Sequence, residues 1–280
     1  MGQVMESNAT TTATEAARIA EAFVRARLAG TALAAFPGRI PADLDGGYAC
    51  QDAAIARWPD RVVGWKVGYI AANRRDASGD DRLVGPIFAA GLREAHPGAI
   101  IEFPVFDGGF AAVEAEYVVR VGADAAPGKL EWTPAEAAAL VDALHVGIET
   151  AGSPLATINE LGPTVVVADF GNNAGLILGP ALADWQAQPR AALRCETWIE
   201  GRCVGRGGAD LLEGGPMAAF AFALVRLARR GRSLRRGDLV STGAATGIHD
   251  IRAGERARVD FGAAGTLHCR AVAALAAVAP

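Results

Sequence analysis

Three glutamates and a lysine are the residues whose types and spacing suit chemistry. Glu114 and Glu116 lie in Val113-Glu114-Ala115-Glu116-Tyr117-Val118-Val119, a stretch rich in β-branched and aromatic residues. Asp107-Gly108-Gly109 and Gly122-Ala123-Asp124 bound it as turns, so it reads as a β-strand. Strand side chains alternate, which points both carboxylates to one face. Glu149 sits in a second strand-like stretch, His145 to Thr150. A carboxylate-only set suits a hard cation, Mg²⁺ or Mn²⁺, over Zn²⁺, which favours nitrogen and sulfur. By spacing alone, however, the Glu-x-Glu pair reads more readily as a solvated strand face with Arg120 alongside. Lys66 belongs to the strand Val62 to Tyr69, where Trp65, Val67 and Tyr69 share one face. It points the other way, between Gly64 and Gly68, whose missing side chains leave room for close approach.

The histidines add less. His145 lies four strand steps before Glu149, roughly 13 Å away, too far to share a ligand set, and reads as structural. His249-Asp250 falls in the loop Thr242 to Ile251 as a solvated pair at most near a site rim. His96 and His268 have no evident partner. The fingerprints of serine hydrolases and nucleotide-binding loops are absent.

The elements that must position these residues follow from pattern. Thr12 to Glu15 is a capping box, which predicts a helix starting there after a flexible tail over residues 1–12. Asp45 to Trp58 reads as a second helix, giving a helical N-terminal region over 13–60. From residue 61 to 280 strands dominate: Leu83 to Phe88, Ala99 to Phe103, Ala174 to Leu178, a hairpin from Leu193 to Val204 around Glu200-Gly201, Leu239 to Thr242, Ala257 to Phe261, and Thr266 to Val272. Helices are predicted from Thr133 to about Ala143 and over 217–230, the first opened by a second capping box. Many strands with few helices make this an α+β chain, not a regular βαβ alternation.

The 280 residues are 51% hydrophobic and carry a net charge of -4, so a large core is available and nucleic acid or an anionic membrane is not the expected partner. The basic run Arg226 to Arg236 reads as a helix end and its turn. Cys50, Cys195, Cys203 and Cys269 form no CxxC pair, which fits a reducing, cytoplasmic setting. No apolar run is long enough to span a bilayer.

The order Gly64-Trp65-Lys66-Val67-Gly68, Val113-Glu114-Ala115-Glu116, Ile148-Glu149 and Val167-Ala168-Asp169 resembles the 2-keto-4-pentenoate hydratase branch of the fumarylacetoacetate hydrolase superfamily. Gly214-Gly215-Pro216 and Gly237-Asp238-Leu239-Val240-Ser241-Thr242-Gly243 fit its later segments, so the resemblance covers residues 15 to 272. It implies a mixed β-roll with a small helical N-terminal part, which self-associates. It also implies Mg²⁺ or Mn²⁺ held by Glu114, Glu116 and Glu149. Lys66 and Asp169 become catalytic candidates, Asp169 with a structural alternative, and Lys66, Asn172 and Thr242 substrate-binding ones. The activity implied is that of a lyase adding water to an unsaturated 2-oxo acid through a metal-stabilised enolate, as in aromatic catabolism. Decarboxylation of a 2-oxo diacid or acylpyruvate-type C–C hydrolysis are the alternatives, the latter with His96 and Glu94 as its only N-terminal pair. An inactive binding homologue is the reading from a different class. Three segments depart from the pattern. Leu83-Val84 stands where an acidic residue usually precedes Gly85, Asn172 where a serine is usual, and Gly152-Ser153-Pro154 where Asp-Ser-Arg tends to follow the third glutamate. The substrate surroundings therefore differ while the ligand set is kept.

Overall fold

The longest strands are the two that carry the glutamates. In the computed structural model, which describes residues 2–276, with side chains from residue 13 on, the Glu-x-Glu strand spans Phe110–Val121 and the Glu149 strand Val141–Ser153. In chain order the elements are α1 (Gly2–Ala29), α2 (Leu44–Ile55), β1 (Val62–Tyr69), β2 (Arg82–Phe88), β3 (Leu92–Glu94), β4 (Ile100–Val105), β5 (Phe110–Val121), α3 (Pro134–Ala138), β6 (Val141–Ser153), α4 (Ile158–Leu161), α5 (Pro163–Ala168), β7 (Asn173–Ala181), β8 (Arg194–Ile199), β9 (Arg202–Gly208), α6 (Pro216–Arg229), β10 (Leu239–Ser241), β11 (His249–Asp250), β12 (Arg256–Asp260) and β13 (Thr266–Ala273).

These strands form two sheets. The larger runs β2-β1-β10-β5-β6-β7-β3, with β11 added to β5, and the smaller runs β4-β13-β12-β8-β9. Strand β5 divides its side chains between two environments. Val113, Ala115, Tyr117, Val119 and Val121 enter the main core with Trp65, Val67, Phe220 and Leu224. Burial of side chains of this size stabilises the fold by about 1.5–3 kcal/mol each. On the opposite face Val118 packs with Ile87, Leu176, Leu178 and Leu239 in a smaller apolar cluster, and Glu114 and Glu116 share that face. The large sheet is curled. Lys66 on β1 stands three strand spacings from β6, about 14 Å in a flat sheet, yet its ammonium lies 3.3 Å from Glu149.

Several sequence-based expectations hold, including the Arg194–Gly208 hairpin, the α6 helix and the closing strands β12 and β13. Others are corrected. Helix α1 passes straight through the Thr12 capping box, and the Glu15 carboxylate instead accepts from Arg18 and from the Arg39 backbone N–H. The tail expected over residues 1–12 lies outside the residues whose side chains are described. The Thr133 capping box does open a helix, but that helix stops at Ala138 because β6 begins at Val141. His249-Asp250 forms a short strand paired to Val113 and Ala112, not a loop. Tyr69, placed by alternation with Trp65 and Val67, reaches past the core and is exposed.

Candidate metal centre

Register brings the carboxylates together. Glu114 on β5 lies directly opposite Glu149 on β6, and Glu116 follows two residues on. Paired residues in an antiparallel ladder share a face, so all three carboxylates converge. Each is buried, and one oxygen from each lies within 4.8 Å of the others. Glu149 Oε1 accepts from Asn173 Nδ2 at 3.1 Å and faces Lys66 Nζ at 3.3 Å. Glu116 Oε2 accepts from the Gly243 N–H at 2.6 Å. Gly243 has φ 118°, a conformation that suits glycine, and this turn after β10 aims its N–H at the carboxylate.

Glu114 Oε1, Glu116 Oε1 and Glu149 Oε2 have no hydrogen-bond partner among the described residues. An unpaired buried carboxylate oxygen is costly, and three facing one another more so. The charges say the same. Burial, then the Glu149 charge, pushes Glu114 up to about 8 against the pull of Lys66. Burial, then the charges of Glu149 and Glu114, drives Glu116 well above the usual carboxylate range. Burial works to lower the Lys66 pKa, but the three carboxylates outweigh it and the net shift is upward, so Lys66 stays an ammonium. With all three carboxylates ionised, as cation binding would require, the one ammonium leaves two negative charges uncompensated, the charge a divalent cation carries. The donor set, all oxygen and oriented by fixed hydrogen bonds, fits a hard divalent ion.

Of the three carboxylates, Glu114 opens on a cavity of ≈ 640 Å³ that is also lined by Lys66, Asn172 and Thr242, among others. Its walls are mostly apolar, with Val67, Leu83, Phe110, Val166 and Leu212, and Arg74 and Arg82 lie on its border. Both arginines are engaged, Arg74 with the carbonyls of Asn159 and Glu160, and Arg82 with Asp81 and the Glu213 carbonyl. Asn172 Oδ1 accepts from Lys66 Nζ at 3.1 Å, and its amide donates to Asn159 Oδ1. The Thr242 hydroxyl donates to the Tyr117 carbonyl at 2.7 Å and fastens the end of β10 to β5.

Asp169 is placed differently from its catalytic expectation. It is not among the cavity-lining residues; its carboxylate is held by Arg27 at 2.6 and 3.0 Å and by the Ser153 hydroxyl at 2.6 Å. Gly152-Ser153-Pro154, which lacks the arginine of the family pattern, thus meets the Arg27 guanidinium from α1. His145 Nδ1 lies 2.9 Å from the Gly179 carbonyl and supports the fold. Glu94 and His96 are exposed and do not line the cavity. Sequence reasoning passed over Asn173, Gly243 and Arg27. Asn173 stood in a quoted motif, but nothing local marks a backbone N–H or a helix arginine 142 residues from its partner.

The fold is the fumarylacetoacetate hydrolase type. The chain is similar to 4-oxalocrotonate decarboxylase from Pseudomonas putida G7 in its complex with magnesium and adipate, with 19% identity, TM-score 0.77, and coverage of 92% of this chain and 98% of that one. It is also similar to fumarylpyruvate hydrolase from Pseudomonas aeruginosa in complex with Mn²⁺ and pyruvate, with 21% identity, TM-score 0.54, and coverage of 77% and 91%. A third is 5-carboxymethyl-2-hydroxymuconate delta-isomerase from Mycobacterium smegmatis, with 15% identity, TM-score 0.53, and coverage of 77% and 81%. No protein-family model and no curated protein sequence matches the chain. No helix among the described residues is long and apolar enough to cross a membrane.

Proposed function

We propose that the chain is a divalent-metal-dependent lyase acting on an unsaturated 2-oxo acid. One observation carries this reading: three buried carboxylates within 4.8 Å of one another, with the Lys66 ammonium 3.3 Å from Glu149, and with Glu114 and Lys66 lining a mostly apolar-walled cavity. Glu114, Glu116 and Glu149 would hold the ion, which when bound supplies Lewis-acid stabilisation of the charge gathering on a 2-oxo oxygen. Lys66, kept cationic, holds the substrate carboxylate and donates a proton to the carbanionic carbon. Asn172 fixes the Lys66 ammonium, while Asn173 and the Gly243 N–H orient two of the carboxylates. Leu83 and Val166, which line the cavity, shield the carbon chain from water.

Two reactions would pass through such an enolate: addition of water to the double bond conjugated with the 2-oxo group, or loss of CO₂ with its bond pair moving onto the 2-oxo oxygen; in each, a proton is then taken up at carbon. Hydration is the outcome the sequence resemblance implies. Decarboxylation is the second reading, supported by the likeness to a decarboxylase over 92% of this chain. C–C hydrolysis is disfavoured because Glu94 and His96, its candidate water-activating pair, are exposed away from the cavity. Purified protein assayed with Mg²⁺ or Mn²⁺ against a panel of 2-oxo acids, reading hydroxylated product and CO₂ separately, distinguishes these outcomes. No turnover together with no metal-dependent enol exchange would overturn the reading.

A further inference from the structure

Arg27 sits on the last turn of α1, far along the chain from the carboxylates, yet its side chain is 5% exposed and reaches the layer beneath them. Its Nε and Nη2 grip the two Asp169 oxygens at 2.6 and 3.0 Å. Nη2 also donates to the Gly152 carbonyl at 2.9 Å and the Asp169 carbonyl at 3.3 Å, and Nη1 to the Asn173 carbonyl at 3.0 Å. The guanidinium plane packs near the Phe170 and Phe106 rings, 5.1 and 5.6 Å from their centroids. One group therefore ties the end of β6, three residues past Glu149, to both ends of the segment 169–173. That segment needs holding: Phe170, Gly171 and Asn172 stand consecutively at φ 56°, 65° and 55°. Left-handed backbone at non-glycine residues costs of order 1–3 kcal/mol each and persists only where its surroundings over-determine it. From the same segment Asn172 accepts from Lys66 and Asn173 donates to Glu149.

We propose that Arg27 is a positioning residue for the metal and substrate site: by clamping segment 169–173 to the end of β6 it sets the contacts of Asn172 with Lys66 and of Asn173 with Glu149. Asp169 is its receiver in this clamp. The inference rests on the lyase reading above and adds to it that an N-terminal helix outside the strand-rich region completes the centre. Lysine cannot replace this group, since only the planar fork spans a carboxylate and three carbonyls at once.

The test must separate positioning from folding, because Arg27→Met strands the buried Asp169 charge and destabilises for that reason alone. The double variant Arg27→Met/Asp169→Asn removes both charges. Thermal melts, Mn²⁺ titration, and kcat and KM on the turned-over 2-oxo acid are read for wild type, Arg27→Lys, Arg27→Met and the double variant. The expected result is that the double variant recovers most of the thermal stability lost in Arg27→Met. It still binds Mn²⁺ about tenfold more weakly than wild type and turns over at least about tenfold more slowly, the lower end of the cost of losing a group that orients metal ligands. Arg27→Lys falls between. Wild-type Mn²⁺ affinity and kcat in the double variant would overturn the positioning role and leave the lyase reading intact. Failure of the wild type itself to bind Mn²⁺ would overturn both.

Discussion

Metal-induced stabilisation of this protein should depend steeply on pH. In the metal-free fold, burial and then the Glu149 charge hold the Glu114 pKa at about 8, against 4.5 for an ordinary glutamate. The folded state therefore keeps a proton that the unfolded chain releases, and stability falls as pH rises between those two values, by on the order of 5 kcal/mol across the window. A cation takes the same oxygens only as that proton leaves. At pH 8 about half of Glu114 is ionised, whereas at pH 5.5 about one molecule in 300 is, so Mn²⁺ affinity drops at least about 150-fold between them, and further because Glu116, also held well above the ordinary range, must lose its proton too. Mn²⁺ at about 100 times its apparent Kd at pH 8 adds about 2.7 kcal/mol, and the same concentration at pH 5.5 adds at most about 0.3 kcal/mol. At about 2–4 °C per kcal/mol for a chain of this size class, the Tm gain shrinks from about 5–10 °C to at most about 1 °C. Scanning calorimetry of chelator-stripped protein with and without Mn²⁺ at the two pH values measures it. Equal gains at both, or no gain at pH 8, would refute the buried carboxylate cage as the binding site.

Three substitutions probe the same centre from other sides. Glu116→Gln should abolish Mn²⁺ binding while leaving the metal-free Tm at pH 8 at or above wild type. The amide oxygen still accepts the Gly243 N–H, and no carboxylate remains there to ionise against Glu114 and Glu149. Isothermal titration and melts read both, and unchanged Mn²⁺ binding would mean the cage does not exist. Lys66→Met should lower turnover by about a hundredfold or more without weakening Mn²⁺ binding, since it removes a positive charge beside Glu149. Matched losses in kinetics and titration would make Lys66 structural. Gly85→Ala puts a Cβ against the Phe170 carbonyl and the Gly171 backbone, so urea melts should show a loss of about 1–3 kcal/mol; an unchanged midpoint contradicts the close approach.

The parts of the site legible in the sequence are those set by alternation. Glu114 with Glu116, and Lys66 between Gly64 and Gly68, point where strand periodicity puts them, and the glycines leave the room expected of them. Gly68, given a Cβ, would stand 3.6 Å from Lys66 Nζ. Long-range geometry was not legible. The pairing of Glu114 with Glu149 is a register, and register appears only when strands meet. Its motif left Asp169 open to a catalytic or a structural role, and its carboxylate is turned to an arginine 142 residues away. The strands β3 and β11, three and two residues long, are too short to show a period. The Thr12 box carries a start signal that helix α1 overrides by continuing through it.

The β5–β6 register also bears on the order in which the molecule is assembled. These strands are joined by residues 122–140 alone, so they can zip early, before contacts of high sequence separation are made. Glu114 and Glu149 then meet while Lys66 and Arg27, which come from distant segments, are still undocked. On that order the folding chain would gather its negative charges ahead of their counterions, and a divalent ion in the refolding buffer would relieve that repulsion as it arises. Stopped-flow refolding with and without Mn²⁺ reads this order directly. Acceleration of the folding limb places the carboxylate pair before the rate-limiting barrier, and slower unfolding alone places it after.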